Sequence, residues 1–330
     1  MSILICGGAG YIGSHALWQL SRANEDVIVV DNLSAGHLGA LKAGLKVKFY
    51  EADIRDRAAL SAVFAENDIE AVVHFAADSL VGRSMLQPLK YYDNNVGGMC
   101  ALLDVMVKHS VGKIIFSSTA AVYGEPKAVP ITEKFTPRPT NTYGETKLAM
   151  EKMMKWVNAA YGIKYVSLRY FNAAGAEPAG QIGEDHAAET HLIPLVLQVP
   201  LKKREAITVF GDDYHTPDGT CLRDYVHVFD LADAHLLALN HLRNGGEGGI
   251  FNLGNGVGFS VKEIIAAAED VTGTKINIVT GKRRPGDPAR LVASSDKARE
   301  ILGWTPRYTD IREIIETAWK WHSLHPNGYN

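Results

Sequence analysis

The sequence predicts an α/β protein: a Rossmann-type, doubly wound parallel sheet with a smaller C-terminal α/β domain. Short, almost entirely apolar runs alternate with helix-length segments through the first half of the chain. This alternation is typical of parallel strands that are covered by helices on both faces. A glycine-rich turn follows the first apolar run, where such a fold passes from its first strand into its first helix.

The strands and helices of the first half can be placed from composition and periodicity. Six apolar runs are predicted strands: Ser2–Cys6, Val27–Asp31, Val47–Glu51, Ala71–His74, Lys113–Ser118 and Tyr165–Arg169. Four further segments have the length and periodicity of helices: Tyr11–Arg22, Arg57–Glu66, Pro88–His109 and Tyr143–Ala160.

The sequence changes character near Ala173, where a loop rich in glycine, alanine and proline begins. We therefore expect a nucleotide-binding domain over residues 1–173 and a substrate domain over 174–330. Tyr225–Leu242 has the pattern of a strand that leads into a helix, and the sequence leaves open whether it returns to the first domain. Helices are also predicted at His191–Lys203, Val261–Thr272 and Asp310–His322.

Composition limits the classes of partner. The 330 residues carry 34 basic and 37 acidic side chains, a net charge of −3, which gives no electrostatic basis for binding nucleic acid or an anionic membrane. Three cysteines without paired spacing fit a reducing cytosol, and no metal site is expected from the cysteine and histidine spacing. Neither a leader nor an apolar run of about 18 residues is recognised, so a cytoplasmic protein is expected.

The first turn has the spacing of a dinucleotide-binding motif. Gly7, Gly10 and Gly13 precede a predicted helix, whose free N–H groups suit a pyrophosphate. Asp31 ends the second strand, where a carboxylate binds ribose hydroxyls and repels a 2′-phosphate. The pattern favours NAD over NADP, and the alternative is a Rossmann-like scaffold without a cofactor.

Residues after the next two strands extend this site. Asp53 and Ile54 follow the third strand, where the carboxylate can reach an adenine amino group or simply cap a helix. Phe75, Ala76 and Ala77 follow the fourth strand, with small side chains where a cofactor would lie close.

Tyr143 and Lys147 are the predicted proton-handling pair. Thr142 and Glu145 have capping-box spacing, so a helix should begin here and place the pair one turn apart on one face. A neighbouring ammonium and a helix N-terminus favour the phenolate, so we expect a lowered pKa for Tyr143 and a usable base. The alternative is that Tyr143 and Lys147 pack together on the surface and have no catalytic role.

Hydroxyl groups stand at the end of the fifth predicted strand. Ser117, Ser118 and Thr119 lie where the carboxyl ends of parallel strands form a ligand crevice. A hydroxyl there can hold the reacting oxygen of a substrate beside Tyr143, whereas helix capping is the alternative reading.

Together these residues resemble the extended short-chain dehydrogenase/reductase superfamily and, within it, the UDP-glucose 4-epimerase family. The resemblance covers essentially the whole chain, and related enzymes share any one of its motifs but not the combination. The motifs are Gly7–Gly13, Asp31–Asn32, Tyr91–Asn95, Ser117–Thr119, Ala121–Gly124, Tyr143–Lys147, Arg169–Asn172, Gly211–Tyr214, Asp218–Thr220, Arg223–Val228 and Arg284–Asp287.

The resemblance implies a tightly bound NAD and a UDP-hexose substrate. The implied NAD contacts are Gly7, Gly10, Tyr11, Ile12, Gly13, Asp31, Asn32, Leu33, Ser34, Ala35, Gly36, Asp53, Ile54, Phe75, Ala76, Ala77, Asp78, Ser79, Asn94, Thr119, Tyr143, Lys147 and Phe171. The implied substrate contacts are Thr119, Tyr143, Asn172, His191, Leu192, Thr208, Val209, Phe210, Arg223, Arg284, Pro285, Gly286, Asp287 and Leu291.

The implied reaction is a reversible oxidation that inverts C4 of the sugar. Tyr143, held ionised by Lys147 and by cationic NAD, takes the proton of the 4-hydroxyl while hydride leaves C4 for the nicotinamide. Thr119 hydrogen-bonds the reacting oxygen. The 4-keto sugar then turns about its diphosphate and receives the hydride on its other face.

Three positions depart from the family pattern. Ser79 stands where many members have a cofactor-contacting lysine, and His191 replaces an asparagine beside the diphosphate. Leu291 aligns with a gate residue beside the sugar's 2-substituent. A tyrosine there restricts members to UDP-glucose and UDP-galactose, so we hypothesise that the smaller leucine also admits N-acetylated sugars.

Three other functions remain open at this point. A nucleotide-sugar 4,6-dehydratase needs an acid after Thr119, where this chain has Ala120 and Ala121. A UDP-pentose or UDP-uronate 4-epimerase is excluded only weakly. A non-catalytic NAD-binding regulator would be expected to lack Tyr143 or Lys147. The resemblance further implies a homodimer in which Pro88–His109 and Tyr143–Ala160 form a four-helix interface.

Overall fold

The computed structural model describes residues 1–42, 46–284 and 287–329. Its strands are β1 Ser2–Cys6, β2 Val27–Asp31, β3 Lys48–Glu51, β4 Ile69–His74, β5 Lys113–Thr119, β6 Lys164–Tyr170, β7 Asn172–Ala174, β8 Ile207–Phe210, β9 Leu222–His227, β10 Gly249–Leu253, β11 Gly258–Ser260, β12 Ile278–Gly281 and β13 Arg290–Leu291. Its α-helices are α1 Tyr11–Arg22, α2 Leu38–Leu41, α3 Arg57–Glu66, α4 Val81–Leu86, α5 Pro88–Tyr91, α6 Gly98–Lys108, α7 Thr142–Tyr161, α8 Leu192–Leu197, α9 Val228–Arg243, α10 Val261–Thr272 and α11 Ile311–Leu324.

The largest sheet has seven parallel strands in the order β10-β6-β5-β4-β1-β2-β3. The chain builds outward from β1 in one direction, through β2 and β3, and then continues on the other side with β4, β5 and β6. The direction of winding therefore reverses between β1 and β4. Ligands of doubly wound sheets bind at this point, beyond the carboxyl ends of the strands.

Helices cover both faces of this sheet. Leu17 of α1 and Leu239 of α9 pack against one face in a fully buried cluster. Leu60 of α3, Leu102 of α6 and Met150 of α7 pack against the other face. Burying each such side chain contributes about 2 kcal/mol. These two apolar layers confirm the predicted doubly wound fold.

Two smaller sheets follow in the second half. Strand β9 pairs with β7, β11 and β13, and β8 pairs with β12. Helices α8, α10 and α11 share a third apolar core with β7, β8 and β9. Strand β10 joins the large sheet beside β6, and α9 packs on that sheet as well. The domain division at residue 173 stays a prediction.

Three predicted helices differ in detail. The helix predicted over His191–Lys203 ends at Leu197, because Pro200 disfavours helical backbone at the preceding residue. The run predicted over Pro88–His109 is helical but contains a π-helical turn at Tyr92–Gly97. The predicted capping box at Thr142 is wrong: Asn141 caps α7 by accepting a hydrogen bond from the N–H of Gly144, 2.8 Å long. Among the described residues, no helix combines the length and apolar character of a membrane span.

Candidate functional site

The glycine-rich turn connects β1 to α1 at the reversal point of the sheet. Gly7 has a φ of +83°, and a Cβ there would lie 2.5 Å from the main-chain nitrogen of Ala76. A Cβ on Gly13 would lie 2.1 Å from the Gly7 oxygen. Gly10 differs, because its nearest neighbour would be 3.5 Å away. It precedes α1, whose first turn has no side-chain cap and no acidic residue. Gly7 and Gly13 therefore allow the turn to pack closely, whereas Gly10 leaves the free N–H groups at the start of α1 accessible to a ligand.

Asp31 fixes this turn from the end of β2. Its carboxylate accepts hydrogen bonds from the N–H groups of Ala9, 2.9 Å away, and Leu33, 2.8 Å away. Burial raises the pKa of Asp31, although both hydrogen bonds oppose that change. Each oxygen keeps a free lone pair after these bonds, so the carboxylate can still accept from hydroxyl groups.

The predicted contacts of the loop after β2 lie against the glycine-rich turn. A Cβ on Gly36 would be 2.7 Å from the carbonyl carbon of Ala9. Asn32 donates a 3.0 Å hydrogen bond to Asp53, which also pairs with Arg55 at 2.7 Å. Hydrogen bonds from Arg55 hold the pKa of Asp53 well below its usual range. Asp53 does not cap α3, because Asp56 does so.

Asn95 organises the loop after β4, although sequence reasoning assigned a role only to its neighbour Asn94. Its fully buried side chain accepts a 2.8 Å hydrogen bond from the N–H of Asp78 and donates a 3.0 Å bond to the Asp78 oxygen. It also donates to the Thr146 hydroxyl, 3.0 Å away on α7. The loop containing Phe75–Ser79 is thereby tied to the helix that carries Tyr143. The only available signal was the position of Asn95 within a family motif.

Helix α7 places Tyr143 and Lys147 beside the carboxyl end of β5. Lys147 is 2% exposed and donates a 2.8 Å hydrogen bond to the main-chain oxygen of Ser117. Its nitrogen lies 5.9 Å from the centre of the Tyr143 ring. Thr119 is close enough to Tyr143 for its hydroxyl to lower the tyrosine pKa by hydrogen bonding. The structure therefore brings the three predicted catalytic residues together.

The pKa of Tyr143 shifts in the opposite direction to the one predicted from the sequence. Burial raises the pKa of Tyr143 to about 12, and it lowers the pKa of Lys147 to about 7. The expected lowering of the Tyr143 pKa is thus wrong for the chain by itself, because loss of hydration outweighs the hydrogen bond with Thr119. A phenolate here needs a further positive charge nearby.

A buried ion pair behind Lys147 was not anticipated from the sequence. Glu151, one turn along α7, pairs with Arg169 of β6, and the two side chains are 3% and 2% exposed. Glu151 also accepts a hydrogen bond from Ser118, 2.5 Å away, and its charge raises the pKa of Lys147. Arg169 in turn donates to the Tyr123 hydroxyl at 2.9 Å. The sequence shows that Lys147 and Glu151 lie one helical turn apart, but it does not show which strand packs against them.

The predicted substrate residues of the second half fall into separate groups. Arg223 of β9 forms an ion pair with Asp287. The Arg284 guanidinium carbon lies 4.0 Å from the centre of the Phe210 ring. Thr208, Val209 and Phe210 lie in β8, and Leu192 begins α8. Asn172 donates a 3.1 Å hydrogen bond to the Asp224 oxygen, and the predicted contacts Pro285 and Gly286 lie outside the described residues.

Leu291 connects the second half to the Tyr143 helix. It packs, partly buried, in a small apolar cluster with Leu148 of α7 and with Phe171. Its strand, β13, runs parallel to β9 and aligns Leu291 with Arg223. The predicted gate residue is thus adjacent to α7 and to a predicted diphosphate contact.

His191 lies in a cluster of ionisable side chains that was not predicted from the sequence. Glu184, His186, Glu189 and His191 place one potential ligand atom each within 4.8 Å of one another. The carboxylates raise the pKa of His191, and they raise that of His186 to about 10. No metal-ligand spacing was recognised in this segment, because its two histidines alternate with carboxylates and not with cysteines.

Comparison with known proteins identifies the family. The model of the NAD dependent epimerase/dehydratase family matches residues 3–254. The chain belongs to this family. The match spans the glycine-rich turn, Tyr143 and Lys147, so the geometry above is that of a family member.

Several similar proteins align with the chain over its full length or nearly so. A UDP-glucose 4-epimerase of Halalkalibacterium halodurans is 58% identical over 330 residues, which is 100% of this chain and 98% of the relative. A crystal structure of a UDP-glucose 4-epimerase has a TM-score of 0.98 at 60% identity and covers 100% of both chains. The enzyme from Bifidobacterium longum in complex with NAD⁺ and UDP has a TM-score of 0.94 at 42% identity, covering 99% of this chain and 100% of that one.

Proposed function

We propose that this chain catalyses the NAD-dependent interconversion of UDP-glucose and UDP-galactose, in galactose metabolism. The observation that carries the proposal is the placement of Tyr143, Lys147 and Thr119 together at the carboxyl end of β5. The 58% identity to a UDP-glucose 4-epimerase over the full chain supports the same activity.

The residues present fit NAD. Gly10 leaves room for a pyrophosphate at the uncapped start of α1, and Asp31 retains lone pairs for ribose hydroxyls. Asn32–Gly36, Asp53, Ile54 and Phe75–Ser79 would line the adenosine and nicotinamide parts. When bound, NAD supplies a hydride acceptor and a positive charge.

The chain's own contribution is to move one proton and to hold the reacting carbon. Tyr143 accepts the proton of the sugar 4-hydroxyl once local positive charge offsets the burial that raises its pKa to about 12. Lys147 supplies part of that charge from a position fixed by Ser117. Thr119 donates a hydrogen bond to the reacting oxygen, and Tyr143 returns the proton after C4 has presented its other face.

The second half would anchor the nucleotide. Arg223 and Arg284 suit a diphosphate by charge and by the fork geometry of the guanidinium group. Release of Asp287 from its ion pair would free Arg223 for this contact. With the diphosphate held, the hexose can rotate about it. First one face of C4 and then the other can therefore reach the same position.

The 2-substituent of the sugar would meet Leu291. A leucine there occupies less space than a tyrosine, so we propose that UDP-N-acetylglucosamine and UDP-N-acetylgalactosamine are also interconverted. The 4,6-dehydratase alternative lacks support, because Ala120 and Ala121 follow Thr119 and supply no acid.

We propose a homodimer in the cytoplasm. Leu89 and Tyr92 in the helical run before α6, and Trp156 on α7, are exposed apolar side chains on the two helical segments expected to pair. Three free cysteines support a reducing compartment.

A single experiment tests the activity. The purified protein is incubated with UDP-galactose, without added NAD, and the sugar products are identified by chromatography. We expect UDP-glucose to form until the two sugars reach equilibrium. Absence of product, both before and after the protein has been supplied with NAD, would refute the proposal. A parallel incubation with UDP-N-acetylgalactosamine tests the role of Leu291.

A further inference from the structure

A second cluster of ionisable side chains lies in the segment that joins β7 to α8. Its members are Glu184, His186, Glu189 and His191, which offer two carboxylates and two imidazoles. We propose that these four side chains form a binding site for a divalent transition-metal ion of the zinc type.

The separations of the ligand atoms suit a four-coordinate ion. Nδ1 of His186 lies 3.3 Å from a carboxylate oxygen of Glu184 and 3.2 Å from one of Glu189. Nδ1 of His191 lies 3.7 Å from the other Glu189 oxygen and is in direct contact with Glu184. A tetrahedral ion with bonds of about 2.0–2.2 Å holds its ligand atoms about 3.4 Å apart. Of these four separations, the His191–Glu184 contact is the one that has to widen to admit the ion.

The donor set selects the class of metal. Mg²⁺ and Ca²⁺ prefer oxygen ligands alone, whereas two imidazoles with two carboxylates suit Zn²⁺ and its transition-metal neighbours. Two carboxylates also cancel the charge of a divalent ion. This balance matters because the Glu184 and Glu189 side chains are only 4% and 9% exposed. His191, at 52% exposed, leaves the ion a path from solvent.

Neighbouring groups hold the ligands in place. One oxygen of Glu189 accepts hydrogen bonds from the N–H groups of Thr190 and His191, each 2.7 Å long. The main-chain oxygen of Glu184 accepts a 3.0 Å bond from the Trp321 indole. Because such contacts orient ligands before the ion arrives, a site within a single eight-residue stretch needs little further ordering.

The same side chains can instead pair with one another as imidazolium and carboxylate groups. If the four side chains form a metal site, the protein should bind added zinc. If they only pair with one another, added zinc should not bind there. The site can be tested without any sugar substrate, so its outcome is independent of the proposed epimerase activity.

The experiment titrates zinc sulfate into the tag-free, chelator-treated protein, with its cofactor bound, by isothermal titration calorimetry. Zinc retained after dialysis is measured by mass spectrometry. We expect one zinc ion per chain. His186→Ala and His191→Ala should each weaken binding at least about tenfold, because loss of an outer-sphere partner alone costs about that much.

His215→Ala is the matched control, since this exposed histidine lies outside the cluster. It should bind zinc as the parent does, and circular dichroism checks that all three variants are folded. Cobalt(II) in place of zinc should give the visible absorption of a four-coordinate ion, and the two cluster variants should lose it. Failure to retain zinc, or equal binding by the parent and both cluster variants, would overturn the proposal.

Discussion

Lys147 donates a 2.8 Å hydrogen bond from its ammonium nitrogen to the main-chain oxygen of Ser117, which ties helix α7 to the end of β5. One turn further along α7, Glu151 binds Ser118 of the same strand and pairs with Arg169 of β6. The helix is therefore fixed to two strands by polar contacts at successive turns. This arrangement sets the height of Tyr143 above the sheet.

Replacing Tyr143 by phenylalanine should remove the base and leave the fold intact. We expect kcat to fall by about 10²- to 10⁴-fold, which is the usual contribution of a positioned proton acceptor. NAD content and the thermal unfolding temperature should stay close to those of the parent. Tyr161→Phe, at the exposed end of the same helix, serves as the control and should retain full activity. Turnover by Tyr143→Phe at the parental rate would contradict the assignment.

Glu151→Gln should shift the pH dependence of the reaction. Burial lowers the pKa of Lys147 to about 7, and the charge of Glu151 opposes this. Without that charge the pKa falls further, so the ammonium is lost at lower pH. The decline of kcat on the alkaline side should therefore begin at lower pH.

The same substitution also leaves Arg169 buried without its partner. We expect a loss of stability of about 3 kcal/mol or more, measured by urea unfolding. Ser118→Ala, which removes a neutral partner of Glu151, should leave the pH profile in place. An unchanged alkaline limb in Glu151→Gln would show that the ion pair serves the fold alone.

Local sequence patterns predicted the first elements well. The bounds of β1, α1 and β2 agree with the structure, because Gly7 ends the first apolar run, Gly10 precedes the helix and Asp26 precedes the second apolar run. The candidate site lies at the carboxyl ends of the strands. Residues that the sequence predicts at those ends are therefore close together in the structure. Such borders are short-range features, and they can be read from neighbouring residues alone.

Long-range contacts could not be predicted in the same way. Strand β10 pairs with β6 from a distant part of the chain, and no local periodicity encodes that pairing. The Glu151–Arg169 pair joins a helix to a strand whose register was unknown. The direction of the Tyr143 pKa shift depends on burial, which the spacing of Tyr143 and Lys147 does not reveal.

Dimer formation should depend on the exposed apolar side chains of α5 and α7. Leu89 is 84% exposed and Trp156 is 72% exposed, a poor environment for either in a monomer. Leu89→Glu and Trp156→Glu should each shift the mass measured by light scattering from two chains toward one. Val257→Glu places the same charge at an exposed apolar residue elsewhere and should leave the mass unchanged. A monomeric parent protein would refute the proposed interface directly.

Leu291→Tyr should narrow the range of substrates. The larger ring would fill the space beside Phe171 and Leu148 in which an acetamido group is expected to lie. We expect turnover of UDP-N-acetylgalactosamine to fall at least about tenfold, which corresponds to a steric clash of about 1.4 kcal/mol. Turnover of UDP-galactose should change little. Leu291→Met is the control for altered packing, and a parallel loss of both activities would argue against a gate.

Gly10 and Gly13 should respond differently to the same added methyl group. A Cβ on Gly10 has its nearest neighbour at 3.5 Å and a compatible backbone, so Gly10→Ala should fold. That Cβ would nevertheless stand where a pyrophosphate approaches, and NAD content after purification should fall sharply. Gly13→Ala forces a Cβ to 2.1 Å from the Gly7 oxygen and should destabilise the fold itself, by about 2 kcal/mol or more.

Gly82→Ala completes this comparison, because a Cβ at Gly82 has no neighbour within 4 Å. It lies in α4, where alanine is favoured over glycine by about 1 kcal/mol, so stability should be unchanged or slightly raised. Bound NAD is measured by absorbance after the protein has been denatured, and stability by urea unfolding. If Gly10→Ala kept its full complement of NAD, the open side of the turn would not be the cofactor side.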